Sequence, residues 1–300
     1  MNIVDKYRGG NAIPDLEVVE FWNKVLKDDL NKVINIDHYS FPNTGEMFVD
    51  TFDQYIKSST LNKLTGLDTY SHKSFVAGTS QTFDSFWMRN HDRRFRCFKA
   101  EFFYHNANWK KFHAWDYIED DEIKSNDAVV ISFPFSDYGK EHPKMRQVLD
   151  ECERLNVPVL IDCAYYVIAR GLNFDFTEYE CVEDITFSLS KGFHLSNRIR
   201  GGIRYTKKYY DDNIHIMNEW KQYSHISAYF GTKLLEYFPS DFSMNKYRDK
   251  QIEFCNTHNL TPSDCVIFAL ETTGDKYKEL NRGTEINRLC ISYQIGDDLK

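Results

Sequence analysis

Two short stretches of this 300-residue chain place reactive side chains directly after strand-like apolar runs. The first runs from Val157 to Tyr165 and ends in Asp162, with Ala164 and Tyr165 just beyond it. The second runs from Ile185 to Leu189 and ends in Ser190-Lys191; a basic turn follows, with Arg198, Arg200 and the pair Gly201-Gly202. An amine directly behind a buried strand is placed to lose solvent, and desolvation favours the neutral nucleophile that condenses with carbonyls. A carboxylate ending a neighbouring strand can pair with a protonated ring nitrogen. Each feature alone has a plain explanation. Most lysines are solvated surface groups, and nucleotide-binding and hydrolase folds also carry an Asp at a strand end.

The surrounding elements give these residues a frame. Asp127 to Phe133 reads as a buried strand, and Val157 to Ile161 as the next. Between them His142 to Leu155 reads as an amphipathic helix, with Met145, Val148, Leu149, Cys152 and Leu155 on one face. Strand, helix and strand at this spacing predict a right-handed crossover in a parallel sheet, whose sites lie at the carboxyl ends of the strands. Asp162 sits at such an end. Upstream, Ser74 to Ala77 reads as a short strand breaking into Gly78-Thr79-Ser80-Gln81, with a helix from near Thr82. A turn of small residues at a helix start offers amides and hydroxyls to an anion, although most such turns are simply N-caps.

Elsewhere Leu16 to Leu30 carries a helical stripe, Phe52 to Leu64 reads as a second helix, and Lys208 to Tyr237 as a long helical region. Cys265 to Leu270 and Arg288 to Tyr293 are strand-like.

Asp162-Cys163-Ala164-Tyr165, Ser188-Leu189-Ser190-Lys191 and Arg200-Gly201-Gly202, in this order, resemble the fold-type I, aminotransferase class I/II family of enzymes dependent on pyridoxal phosphate (PLP). The resemblance implies an α/β fold of the aspartate aminotransferase type: a mostly parallel sheet flanked by helices, with a reduced small domain. It implies a large PLP-binding domain over 46–236, with 1–45 and 237–300 forming the small domain and dimer-interface segments of a homodimer. Lys191 would hold PLP as a Schiff base and Asp162 would pair with its ring nitrogen. Gly78, Thr79, Ser80, Ser188, Ser190 and Arg200 would surround its phosphate, with Arg198 as the alternative arginine. Phe102 is the aligned stacking ring, with Phe103 and Tyr104 as alternatives. Tyr165 would bond the phenolic oxygen. The family's asparagine for that oxygen falls at Ser136, so Ser136 or Asp137 substitutes or Tyr165 acts alone. Arg288 would receive the substrate carboxylate, for which its planar fork is suited. The implied activity is an aminotransferase acting on an amino acid or amine and a 2-oxo acid. Decarboxylation, elimination or a catalytically degenerate member of the fold are the alternatives.

Composition agrees with a globular enzyme. The chain is 42% apolar, with 19 Tyr and 23 Phe, enough for a sizeable core. A formal net charge of −8 argues against general affinity for nucleic acid or anionic membrane. Seven cysteines, an odd number without a CxxC pair, suit a reducing compartment. No apolar leader opens the chain, no run approaches ~18 apolar residues, and the ten histidines lack metal-ligand spacing. The expectation is a cytoplasmic protein without a metal.

Overall fold

A computed structural model describes residues 7–34, 43–105, 114–194 and 198–299. Residues 1–6, 35–42, 106–113, 195–197 and 300 lie outside the described residues.

Twelve strands occur among the described residues. The first six are β1 (Lys63–Thr65), β2 (His72–Val76), β3 (Arg94–Cys97), β4 (Trp115–Tyr117), β5 (Asp127–Ser132) and β6 (Val159–Cys163). The others are β7 (Asn173–Asp175), β8 (Val182–Ser188), β9 (Gly202–Thr206), β10 (Thr261–Pro262), β11 (Phe268–Glu271) and β12 (Asn287–Cys290). Seven of them form the central sheet in the order β2-β9-β8-β6-β5-β3-β4. Its pairings are parallel from β8 to β4, while β9 runs antiparallel to both β8 and β2. The architecture is α/β with a mixed, mostly parallel sheet.

Every residue of β5 and β6 is buried. A parallel strand covered on both faces must be apolar throughout, which is why both read as unbroken hydrophobic runs. Their connection is the Met145–Leu155 helix, which buries Met145, Val148, Leu149 and Cys152 and ends on Asn156 at φ 54°. Asparagine tolerates that left-handed cap better than other side chains do.

A second sheet, β10-β11-β12, is antiparallel. The Phe242–His258 helix is pinned to it by the buried Gln251. Its Nε2 lies 3.0, 3.1 and 2.7 Å from the carbonyl oxygens of Ser263, Cys265 and Phe268.

Three expected elements are corrected. The second helix spans Thr44–Lys57 instead of Phe52–Leu64. Asn43 caps it by accepting from Glu46 N, and Phe48, Val49, Phe52, Tyr55 and Ile56 supply a helical stripe from its first turn. Residues 63–65 then pair with β7 as a strand. The long region after Lys208 is two helices, Asn213–Glu219 and His225–Tyr237, each with its own cap at Asp212 and Ser224. Lys221, at φ 53°, turns the chain between them. The Arg288–Tyr293 strand stops at Cys290, and a helical turn begins at Ser292. No described helix is long and apolar enough to cross a membrane.

Candidate active site

The carboxyl ends of the parallel strands open into a cavity of about 1220 Å³. It is lined by Gly78, Thr79, Ser80, Phe102, Ser136, Asp162, Tyr165, Ser188, Ser190, Lys191, Arg200 and Arg288, and of the residues singled out above for a site role only Asp137 is missing from the lining.

Asp162 is the fourth residue of β6, with Ser132 on β5 and Thr186 on β8 as its Cα partners. Its carboxylate accepts from Ala164 N at 3.0 Å. Burial, then the nearby Glu101 carboxyl, push its pKa up to about 8, against the Ala164 amide and Lys191, which lower it. Lys191 follows β8 by three residues, in a turn closed by Gly192 N donating to Leu189 O at 3.1 Å. Its Nζ donates to Gly10 O at 2.6 Å and stands 5.7 Å from the centre of the Tyr165 ring. Tyr165 packs edge-on against Phe268, with centroids 5.3 Å apart. A Cβ on Gly10 would lie 2.7 Å from the Tyr165 hydroxyl, so the backbone approaches closely there.

The anion end is assembled from three segments. Gly78, at φ 85°, turns β2 into the Thr79–Arg89 helix, and no side chain caps that helix. Gln81 N donates to Gly78 O at 3.3 Å, which leaves the Thr79 and Ser80 amides at the positive end of the helix dipole. The helix begins three residues earlier than its sequence suggests. Arg200 Nη2 donates to Ser80 Oγ at 3.2 Å, and Ser190 N donates to Ser188 Oγ at 3.1 Å. Gly202 is fixed by space: a Cβ there would stand 2.5 Å from Phe187 O. Both Arg198 and Arg200 reach the cavity, but Arg200 is the one bonded to Ser80.

Phe102 lies beyond β3, 41% exposed, with its ring parallel to Tyr104 at 5.9 Å. The Tyr104 hydroxyl is held by Asp84 at 2.9 Å, while Phe103 is 72% exposed.

Ser136 and Asp137 are committed elsewhere. Ser136 Oγ donates to Asp137 Oδ1 at 3.0 Å and accepts from Arg282 Nη1 at 2.7 Å. Asp137 is fully buried against Arg282, at 2.8 Å, and does not line the cavity. Of the two, only Ser136 can face a bound molecule. Arg288, on β12, is 3% exposed. Its Nη2 donates to Arg8 O and Gly9 O at 2.8 and 3.1 Å, and its buried Nε has no hydrogen-bond partner.

Three contributors escape a reading of the sequence. Residues 8–12 strap across the cavity. Arg282 braces the Ser136 turn and donates from Nη2 to Ala100 O and Glu101 O. Glu101 is a buried acid whose pKa burial pushes up to about 7. Only the Gly9-Gly10 pair left a visible mark, as a close-approach dipeptide in an otherwise polar segment. No group of His, Cys, Asp and Glu able to hold a metal occurs among the described residues.

No protein-family model matches the chain, and no curated protein matches its sequence. Its shape has many counterparts. The histidinol-phosphate aminotransferase from Clostridium acetobutylicum superposes with a TM-score of 0.59 at 17% identity, over 96% of this chain and 94% of that one. The aromatic aminotransferase from Pyrococcus horikoshii gives 0.62 at 14% identity, over 95% and 90%. The L-threonine-O-3-phosphate decarboxylase from Porphyromonas gingivalis gives 0.57 at 13% identity, over 90% and 92%. The fold is therefore that of the aspartate aminotransferase-like transferases.

Proposed function

We propose that the protein is a PLP-dependent aminotransferase that works through Lys191. The observation that carries this reading is the pairing within one cavity of a lysine amine and a deeply buried carboxyl to which no cation among the described residues is hydrogen-bonded. A buried acid of that kind fits a group that brings its own positive charge, as a protonated pyridine ring does. The anion end fits the phosphate of the same molecule: two hydroxyl residues at a free helix start, two serines and an arginine.

PLP, when bound, supplies an aldehyde for amines and a ring that draws electrons from the substrate's Cα. The chain's own residues do the rest. Lys191 holds the cofactor and moves the proton at Cα. Asp162 would keep the ring nitrogen charged, and Tyr165 would donate to the phenolic oxygen. Thr79, Ser80, Ser188, Ser190 and Arg200 hold the phosphate, and Phe102 covers a ring face. Arg288, whose buried Nε makes no hydrogen bond and stands 3.9 Å from Asp137 Oδ1, receives the carboxylate of an amino or 2-oxo acid. Lys191 and Arg288 must first be released by the carbonyl oxygens of residues 8–10, which take both cations here. We assign the cofactor-binding part to 46–236 and the outer part to 1–45 and 237–300, in a homodimer.

Supplying PLP-loaded protein with a panel of amino acids and a 2-oxo acid tests the reading. Formation of a second amino acid supports it. Carbon dioxide release without transfer supports decarboxylation, the chemistry named for one similar structure. No product from any substrate refutes the aminotransferase.

A further inference from the structure

Glu101 is an acid that the proposed chemistry does not use. It is 8% exposed, lines the cavity, and accepts from Ser132 N at 2.6 Å, from Ser132 Oγ, and from Phe102 N at 3.3 Å. Ser132 ends β5, and its Cα partner across the ladder is Asp162. Glu101 itself lies beyond β3, but Ser132 holds its carboxyl at the end of β5, beside Asp162 on β6, and both acids line the one cavity.

Two acids buried together cannot both ionise without a cation. The charged groups around them do not provide one. Arg282 spends Nη1 on Ser136 and Asp137, and Nη2 on the carbonyl oxygens of Ala100 and Glu101. It therefore attracts Glu101 from a distance only. Lys191 attracts Asp162 in the same way, with its Nζ bonded to Gly10 O. Arg8, His194, Arg198, Arg200 and Arg288 also line the cavity, and none of them is hydrogen-bonded to either acid. Cys97 on β3, Cys163 on β6 and Tyr165 are further titratable neighbours. Both thiols are held protonated by burial. What the pair lacks is a proton, or a cationic ligand.

We propose that Glu101 and Asp162 share a proton as one unit, and that Glu101 is a positioning residue setting the charge Asp162 presents to a bound ring nitrogen. The second half rests on the PLP reading above; the first half stands without it. Burial pushes both acids up, Glu101 to about 7 and Asp162 to about 8, and the charge of Glu101 contributes to the rise of Asp162. A glutamine at 101 still accepts from Ser132 N but carries no charge, so it separates charge from bracing.

The test is a carboxyl NMR titration of the full chain labelled with 13C at Asp and Glu side chains, with and without PLP. In the free wild type, one Glu and one Asp are expected to titrate near neutrality. In Glu101→Gln the Glu signal disappears and the Asp162 midpoint falls by about one pH unit. PLP is expected to remove the Asp162 titration from the neutral range. An Asp162 midpoint unmoved by Glu101→Gln overturns the pair. If that variant does not fold, Glu101→Ala removes the same charge: a fall in the Asp162 midpoint supports the pair, and no change overturns it. Coupled titrations in a wild type that takes up no PLP refute the cofactor reading and leave the pair standing. PLP uptake with uncoupled titrations does the reverse.

Discussion

The two ends of β5 treat buried charge in opposite ways. At its start Asp127, fully buried, accepts from Arg94 Nε and Nη2 at 2.7 and 2.9 Å, Arg96 Nη1 at 2.7 Å and Lys124 N at 2.9 Å. Arg96, also fully buried, is completed by the carbonyl oxygens of Asp116, Tyr117, Asp121 and Glu122. At the other end, Asp162 and Glu101 take only backbone amides and one hydroxyl among the described residues, and no cation among these bonds either of them. Charge used to hold strands together is satisfied from within the chain, because an unpaired buried ion costs several kcal/mol. Charge left unsatisfied at the carboxyl end of the sheet is available to a ligand.

Substituting the two aspartates should break this contrast most visibly. Asp127→Asn takes the buried carboxylate away from the fully buried Arg96 and from Arg94, which keeps Asp116 and Asp121, and is expected to cost about 3–5 kcal/mol in urea unfolding. Asp162→Asn replaces an acid already inclined to be neutral and should change stability by less than about 1 kcal/mol, while weakening PLP uptake. Equal losses in the two variants would erase the distinction.

The next effect is in pH. Glu101 and Asp162 have folded-state values raised above the ordinary 4.5 and 3.8. Their contribution is therefore complete below about pH 4 and is lost as pH rises through about 7 and 8. The buried histidines act oppositely. Burial holds His105 down to about 3 and His142 to about 4, so they cost stability as pH falls below 6.5. Between pH 6.5 and 8 the carboxyls dominate these groups. Across that range the PLP-free protein should lose on the order of 2 kcal/mol, because both acids are already ionised when unfolded and still partly protonated when folded. Thermal unfolding across that range should show a shallower fall in Glu101→Gln, and an identical slope would contradict the assignment. A smaller effect belongs to the anion end. Arg200→Gln should lower PLP affinity by roughly 1.5–3 kcal/mol, read by equilibrium dialysis, and Arg198→Gln by less.

The same contrast explains what the sequence disclosed. β5, β6 and the helix between them are legible because both faces of a parallel strand, and one face of the helix, must be apolar. Asp162 and Lys191 stand out because each ends such a run. The free helix start at Gly78 is visible as a cluster of small residues. Other features depend on distant partners. Lys191 meets Gly10 across 181 positions, and Arg288 meets Arg8 across 280. Arg282 braces Ser136 across 146. Glu101 reads as one acid in an aromatic run until the fold sets Ser132 against it. The Thr44 helix start was missed because its capping residue, Asn43, precedes the most apolar part of the helix.

The most direct test of the account is the visible absorption spectrum of the purified protein with added PLP, wild type beside Lys191→Ala. The account predicts a yellow absorption band in the wild type, absent from the variant and altered by an amino acid that serves as donor. A wild type that stays colourless, or a variant with the same band, would contradict it.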